Sequence, residues 1–378
     1  MLQFNSLSFW EKQVILEDID FLVVGAGIVG TATAFELRKL HPSAKIVLIE
    51  RGYLSTGAST KNAGFACFGS VTELLDDLQQ QSANSVWETI AMRYEGLQKL
   101  RERFSDKSID YQQNGSWDLI HEKQSIVARN ALQKIDFLNE EVFKITGEKA
   151  CFSYSKNVAE KYGFLSIIGG FHNRLEGSID TGKLLQETTR LLSEKSIICL
   201  YGVALNTFES HADGVILQTN FGEIKTKKMA IAVNGFAQEL LGMSSVHPAR
   251  AQVIVTNELT NLTLDSTFHY DCGYYYFRNV GKRILLGGGR NLDFEGETTT
   301  KFEQTTEIIS ALTNLLKEVI IPNQPFSIDY QWSGIMGVGS EKKPIIEKKL
   351  NYVVGVRMGG MGIAIGSKVG EDLAHLLT

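Results

Sequence analysis

A chain of 378 residues, 43% of them hydrophobic and 21% charged, can bury more than one core and has the balance of an ordinary globular protein. Its net charge of −5 argues against general attraction to nucleic acid or anionic lipid. No run of about 18 apolar residues is present, and the start MLQFNSLSFWEKQVILED lacks the basic-then-apolar pattern of a secretion signal, so no membrane span and a cytoplasmic location are expected.

In chain order, Phe21 to Val24 reads as a buried strand, Thr31 to Leu40 as a helix and Ile46 to Ile49 as a second buried strand. Residues 71–148 read as mostly helical, with apolar positions three and four apart (Leu74, Leu75, Leu78; Ile90, Met92, Leu97, Leu100). Asp180 is placed to cap a helix running to about Glu194. A β-rich stretch follows at Ile197–Leu200, Val203–Phe208, Val215–Thr219, Met229–Val233 and Gln252–Thr256. Gly273–Arg278 and Arg283–Gly287 form a hairpin turning at Asn279-Val-Gly-Lys282, and residues 301–318 are helical. The chain ends as strand, glycine loop and helix. No internal repeat or low-complexity tract interrupts it.

The 35 glycines bunch near 25–30, 57–70, 287–296, 334–339 and 355–370, which marks turns and places of close backbone approach. The cysteines Cys67, Cys151, Cys199 and Cys272 are far apart, without C-x-x-C or metal-ligand spacing, so reduced buried thiols and no metal site are expected. The histidines show no ligand-like grouping.

Gly25-Ala26-Gly27-Ile28-Val29-Gly30 follows a strand, opens a helix and is trailed by Glu50 about 20 positions on, the pattern of a dinucleotide site. Gly25 permits the tight turn, Gly27 the approach of backbone to a pyrophosphate, and Gly30 close helix–strand packing. The helix N-terminus offers free N–H groups and a positive dipole end to phosphate. Glu50 suits the adenosine ribose hydroxyls. Glycine loops at both chain ends favour FAD over NAD.

The next loop, Arg51-Gly-Tyr-Leu-Ser-Thr-Gly-Ala-Ser-Thr-Lys-Asn-Ala-Gly64, resembles that of the D-amino-acid-oxidase-like flavoproteins, which include glycine and sarcosine oxidases, D-amino-acid dehydrogenases and γ-glutamylputrescine oxidase. Lys228–Gly242, Tyr274–Asn291, WSGIMGVGSEKKPIIE and GGMGIAIGSKVGEDLAHLL resemble later stretches of that family in the same order. The resemblance implies α/β and α+β architecture: a Rossmann-like FAD-binding domain from residues 1–80, 166–240 and 326–378, and an inserted sheet-plus-helix substrate domain from 81–165 and 241–325. It implies that Ser59 and Thr60 bond the pyrophosphate or ribityl chain, and that Ala63, Gly64 and Phe65 lie along the flavin ring. Arg51, Asn62, Leu205 and Asn234 join the FAD contacts. Gly360, Met361, Gly362, Ile363 and Ala364 would present a helix start to the flavin, steadying negative charge there. The cysteine that tethers flavin in sarcosine oxidase has no counterpart, so FAD is expected to be non-covalent.

In amino-acid-oxidising members a tyrosine and an arginine hold the substrate carboxylate. The tyrosine matches Tyr276, with Tyr274 and Arg278 on the same strand face. The arginine position is Met336, which cannot form a guanidinium–carboxylate clamp. The substrate is therefore an amine without an α-carboxylate, or another cation such as Arg278 or Lys61 does that work. The Ser8-Phe-Trp-Glu extension resembles that of γ-glutamylputrescine oxidase relatives and leans towards an amine. Leu285 stands where sarcosine oxidase has its oxygen-promoting lysine, which leans towards an acceptor other than O2. The implied activity is oxidation of a C–N bond in a small amine or amino acid by an FAD enzyme, with O2 or a respiratory or other acceptor. Oxidation of a 2-hydroxy acid, an RNA-modifying module (which would need a basic docking face) and a non-catalytic flavin-binding subunit remain alternatives.

Overall fold

The computed structural model describes residues 4–378. Its first layer is a six-stranded sheet in the order Ile345–Lys348, Tyr352–Val356, Lys228–Ile231, Phe21–Val24, Ile46–Glu50, Ile198–Tyr201. All neighbours run parallel except the edge strand Ile345–Lys348. The inner strands are apolar throughout because both faces are covered. Phe21 and Val23 pack towards the helices Ile28–Leu40, Ala83–Phe104 and Gly362–Leu377. Leu22 and Val24, one residue out of phase, pack towards the three-stranded sheet built from Leu205–His211, Gly214–Thr219 and Glu223–Thr226.

The second layer is an eight-stranded sheet in the order Ile328–Val338, His247–Thr256, Arg283–Gly288, Tyr275–Val280, Thr267–Tyr270, Ser116–His121, Ile167–Asn173, Phe152–Ser155. One face holds an aromatic core in which Phe268 and Phe277 stack 4.8 Å apart beneath the helix Thr306–Leu315. On the opposite face Val253, Val255, Leu285 and Tyr276 meet Ala63 and Phe65 of the first layer. The alternation along Tyr275-Tyr276-Phe277 thus decides which residues face the junction of the layers.

Three features differ from the sequence-based expectation. The stretch 71–148 is not helical throughout: Ser116–His121 is a strand between the helices Ala83–Phe104 and Ser125–Thr146, paired with Thr267–Tyr270 and Ile167–Asn173. The helix Ala83–Phe104, expected with the inserted domain, shares the first core through Leu97, Leu100 and Phe104, and Gly96 lets it lie against the backbone of Ala364 and Ile365. Conversely, Ile167–Asn173 and Ile328–Val338 lie in the second sheet, the latter zipped along His247–Thr256. The hairpin turns on Gly281 and Lys282, with Gly281 at φ +59°.

Candidate functional site

A single continuous cavity of about 960 Å³ runs between the two layers, at the upper end of ordinary ligand sites. At one end lie Gly25, Gly27, Ile28, Val29, Glu50 and Arg51. Gly25 has φ +98°, and a Cβ there would come 2.6 Å from the Ala232 carbonyl oxygen. A Cβ on Gly30 would lie 1.9 Å from the Gly25 oxygen, so this glycine serves the turn from beneath and does not line the cavity. Glu50 is fixed by the Ala26 N–H on Oε2 (3.1 Å) and the Gly52 N–H on Oε1 (2.9 Å). Ala26 itself is buried away from the cavity. The Ile28 N–H at the helix start donates to Ser59 Oγ at 2.9 Å, and no side chain of Gly27 caps that helix.

The middle of the cavity is bounded by Ser59, Lys61, Asn62, Ala63 and Phe65. Asn62 ties this loop together, donating to the Ala58 and Ser59 carbonyls and accepting from the Gly64 N–H and the Thr181 hydroxyl. Thr60 differs from its expected role: its hydroxyl donates to the Ser55 and Gly57 carbonyls, capping its own turn, and it lies outside the lining. Gly64, at φ +75°, also lies outside it, pressed against Arg278 and the Ile179 carbonyl. Leu205 and Asn234 are in the lining, and Asn234 Oδ1 accepts from the Met358 N–H at 3.1 Å, tying a strand end to the C-terminal glycine loop.

At the far end are Tyr276, Met336, Gly360, Met361, Gly362 and Ile363. The helix Gly362–Leu377 begins at the wall with no side-chain cap. Ala364 is fully buried behind it. Met336 Sδ lies 3.8 Å from the position a Cβ would take on Gly360, so the second sheet and the C-terminal loop meet there. Tyr276 sits over Gly287, where a Cβ would strike its ring, and meets Phe65 edge-on at 5.6 Å. Burial pushes its phenol up to about 12, so it stays protonated at neutral pH.

Arg278 does not offer its guanidinium to the cavity. Its Nε donates to the Ala63 carbonyl at 2.7 Å and its terminal nitrogen to the Ile179 carbonyl at 2.8 Å. Burial lowers it to about 10, with Asp180 opposing the fall. The candidate substrate cation is thus a clamp on the flavin-side loop. Trp332 adds a second clamp, its Nε1 donating to the Lys61 carbonyl at 2.9 Å.

Several lining residues escaped the sequence reading. Lys342, in the loop after Ile328–Val338, reaches Glu73 at 2.8 Å and Asp77 at 2.7 Å on the helix Val71–Gln80. Burial would raise Glu73, yet Lys342 and Arg93 hold it down at about 2. His269 and Arg290 also line this end. Behind His269, Cys67 and Glu176 bring sulfur, oxygen and nitrogen atoms within 4.8 Å in a fully buried cluster. Sequence spacing gives no sign of it, because the three residues come from distant segments.

The profile of the family described as FAD dependent oxidoreductase (DAO) matches residues 20–376. The chain belongs to this family. Among its relatives, the sarcosine oxidase subunit beta of Rhodobacter capsulatus is 24% identical over 90% of this chain and 81% of its own length. Two solved structures share the fold. L-proline dehydrogenase from P. horikoshii has a TM-score of 0.75 and 18% identity over 96% of this chain and 94% of its own. Glycine oxidase from Geobacillus kaustophilus has a TM-score of 0.74 and 18% identity over 94% of each chain.

The cavity of this FAD-dependent oxidoreductase fits its cofactor on its own terms. A Cβ on Gly25 would strike the Ala232 carbonyl oxygen and one on Gly27 would strike Ser59 Oγ, so glycines let this cavity-lining turn lie close against its neighbours with its backbone open to a pyrophosphate. Glu50 is oriented at the strand end, with lone pairs left for ribose hydroxyls. Arg51 lies 3.6 Å over the Phe236 ring at that end. Ser59 and the start of the helix Ile28–Leu40 would hold the phosphates, and the glycine loop at 359–362 with the helix behind it would meet the other end. Among the described residues, no helix is long and apolar enough to cross a membrane.

Proposed function

We propose that this protein oxidises a C–N bond of a small amine or amino acid at the cavity end formed by Tyr276 and Met336. The observation that carries the reading is the continuity of one cavity from Glu50 to those two side chains, which come from strands of the second sheet with two other strands between them. When bound, FAD would supply the acceptor for the hydride that leaves the substrate carbon, and the resulting imine would be open to hydrolysis by water. The chain's own part is positioning, dryness and field. Tyr276, neutral and half-buried, offers a hydroxyl donor to the substrate. Phe65, Leu285, Val253 and Val255 exclude water from that wall. The uncapped start of the helix Gly362–Leu377 favours negative charge beside the glycine loop.

The test is anaerobic bleaching of the yellow purified protein by amines, amino acids and 2-hydroxy acids in separate arms. Bleaching by members of the first two classes supports the reading. Bleaching by hydroxy acids alone moves the reaction to C–O bonds. The relative from Rhodobacter capsulatus is named as a subunit, so a requirement for a second chain would recast this protein as part of a heteromeric enzyme.

A further inference from the structure

We propose that Arg290 anchors the substrate carboxylate, which makes amino acids, not simple amines, the substrate class. The inference rests on the reading of the cavity given above and deepens it.

Arg290 lines the same end of the cavity as Tyr276 and Met336. Its guanidinium is half-buried and has no carboxylate within ion-pair distance among the described residues. Its Nε is buried without a hydrogen-bond partner, and its guanidinium carbon lies 5.0 Å over the centre of the Phe294 ring. The nearby Glu297 is already committed: Arg250 donates to it at 2.9 and 2.7 Å, and Gln252 at 2.9 Å. Burial lowers the Arg290 guanidinium, with Glu297 and Tyr274 opposing. A cation withdrawn from water without a counter-ion is costly, and the cost is relieved when a ligand brings the anion.

The other cations of that end are spoken for. Lys342 is bound by Glu73 and Asp77. Arg93 donates to the Phe68 carbonyl at 3.0 Å and faces Glu73 at 3.8 Å. Arg357 donates to the Lys343 carbonyl at 2.9 Å and lies 3.5 Å from Glu341. Two other lining cations lack a carboxylate partner among the described residues: Lys61, on the flavin-side loop beside Gly334, and Arg51, at the Glu50 end over the Phe236 ring.

The chain around Arg290 sets its place. Its strand ends with Gly288 opposite Gln252, and Gly289, at φ +78°, turns the backbone while its N–H donates to the Tyr274 carbonyl at 3.0 Å. Arg290 then opens a short 3-10 helix three residues beyond Gly287, the glycine that lies under the Tyr276 ring. Arg290, Tyr276 and Met336 all line the cavity, and Ala251, which also lines it, projects only a methyl group. A small amino acid held there would turn its acid group towards Arg290.

The test uses the FAD-loaded full chain with benzoate and its neutral isostere benzamide, reading dissociation constants from the flavin absorbance. Wild type should prefer benzoate by about 10- to 100-fold, the scale of one charged hydrogen-bonded contact. Arg290→Met should erase the preference while keeping its flavin content, Arg290→Lys should restore part of it, and Lys61→Met should retain it. A wild type without preference, or an Arg290→Met protein that keeps it, overturns the inference and leaves C–N oxidation standing. Loss of the preference in Lys61→Met alone moves the anchor to Lys61. A wild type that takes up no FAD overturns the reading of the cavity itself.

Discussion

The guanidinium of Arg278 occupies the space beside Gly64, 2.6 Å from where a Cβ on that glycine would stand. This contact lets an arginine of the second sheet reach past the loop backbone and bind the carbonyls of Ala63 and Ile179. The loop carrying Ser59, Asn62 and Phe65 is held from the substrate side, so the two layers are joined where the flavin ring would lie.

Arg278→Met should therefore weaken folding and flavin retention more than substrate choice. Two carbonyls lose charged donors, a cost of about 2–4 kcal/mol. Urea denaturation and the ratio of flavin to protein absorbance check this. A variant with normal stability and flavin content but altered substrate preference would return Arg278 to the substrate site.

Gly27→Val should abolish flavin retention. A Cβ at Gly27 already comes 2.8 Å from Ser59 Oγ, and valine adds two methyl groups at the phosphate end. The apoprotein should remain folded, because Gly27 has φ −77°, which any residue tolerates. Titration with FAD should leave the protein colourless, with unchanged circular dichroism. A still-yellow variant would place the pyrophosphate elsewhere.

The strand–glycine–helix opening was legible because its signal is local: apolar residues, glycines and an acid in register within about 30 residues. Ser116–His121 was not, since its strand partners at 267–270 and 167–173 lie far along the chain and the flanking helical periodicity hid it. Period-two alternation could put Arg278 on the face of Tyr276. It could not say that carbonyls from residues 63 and 179 take up its donors. Arg290 was harder still, because what distinguishes it is the absence of a partner in three dimensions, and GGGRN reads only as a turn. The same holds for Lys342, which looks like part of a solvated charge run until the fold sets Glu73 and Asp77 beside it.

Met336→Arg should raise turnover of small amino acids at low substrate concentration. The side chain lies beside Gly360 on the wall shared with Tyr276, and a guanidinium there would add a bidentate carboxylate partner. Steady-state rates across D- and L-amino acids should show a lower KM in at least one case. Unchanged rates for every amino acid would place position 336 away from the substrate.

Glu176→Gln should flatten part of the pH dependence of stability. Glu176 is fully buried; its Oε1 accepts from the N–H groups of Phe68 and Gly69, while Oε2 has no hydrogen-bond partner. Burial raises its carboxyl to about 7, despite those N–H groups. A carboxyl raised on folding is stabilising in its protonated form, so its contribution is complete below about 4.5 and is lost as pH climbs through 7. The loss amounts to roughly 3 kcal/mol for a shift of this size. Its neighbours act elsewhere or in the opposite sense. Burial lowers His269, which gives stability that is lost as pH falls. Burial and Glu176 push the Cys67 thiol far up, so it is silent in this range. Glu73, held near 2, matters only below about 4.5. The amide keeps an acceptor for Phe68 and Gly69 and cannot ionise, so between pH 5 and pH 8 urea midpoints of Glu176→Gln should fall less than those of wild type. Parallel curves would mean that Glu176 is already ionised at pH 5.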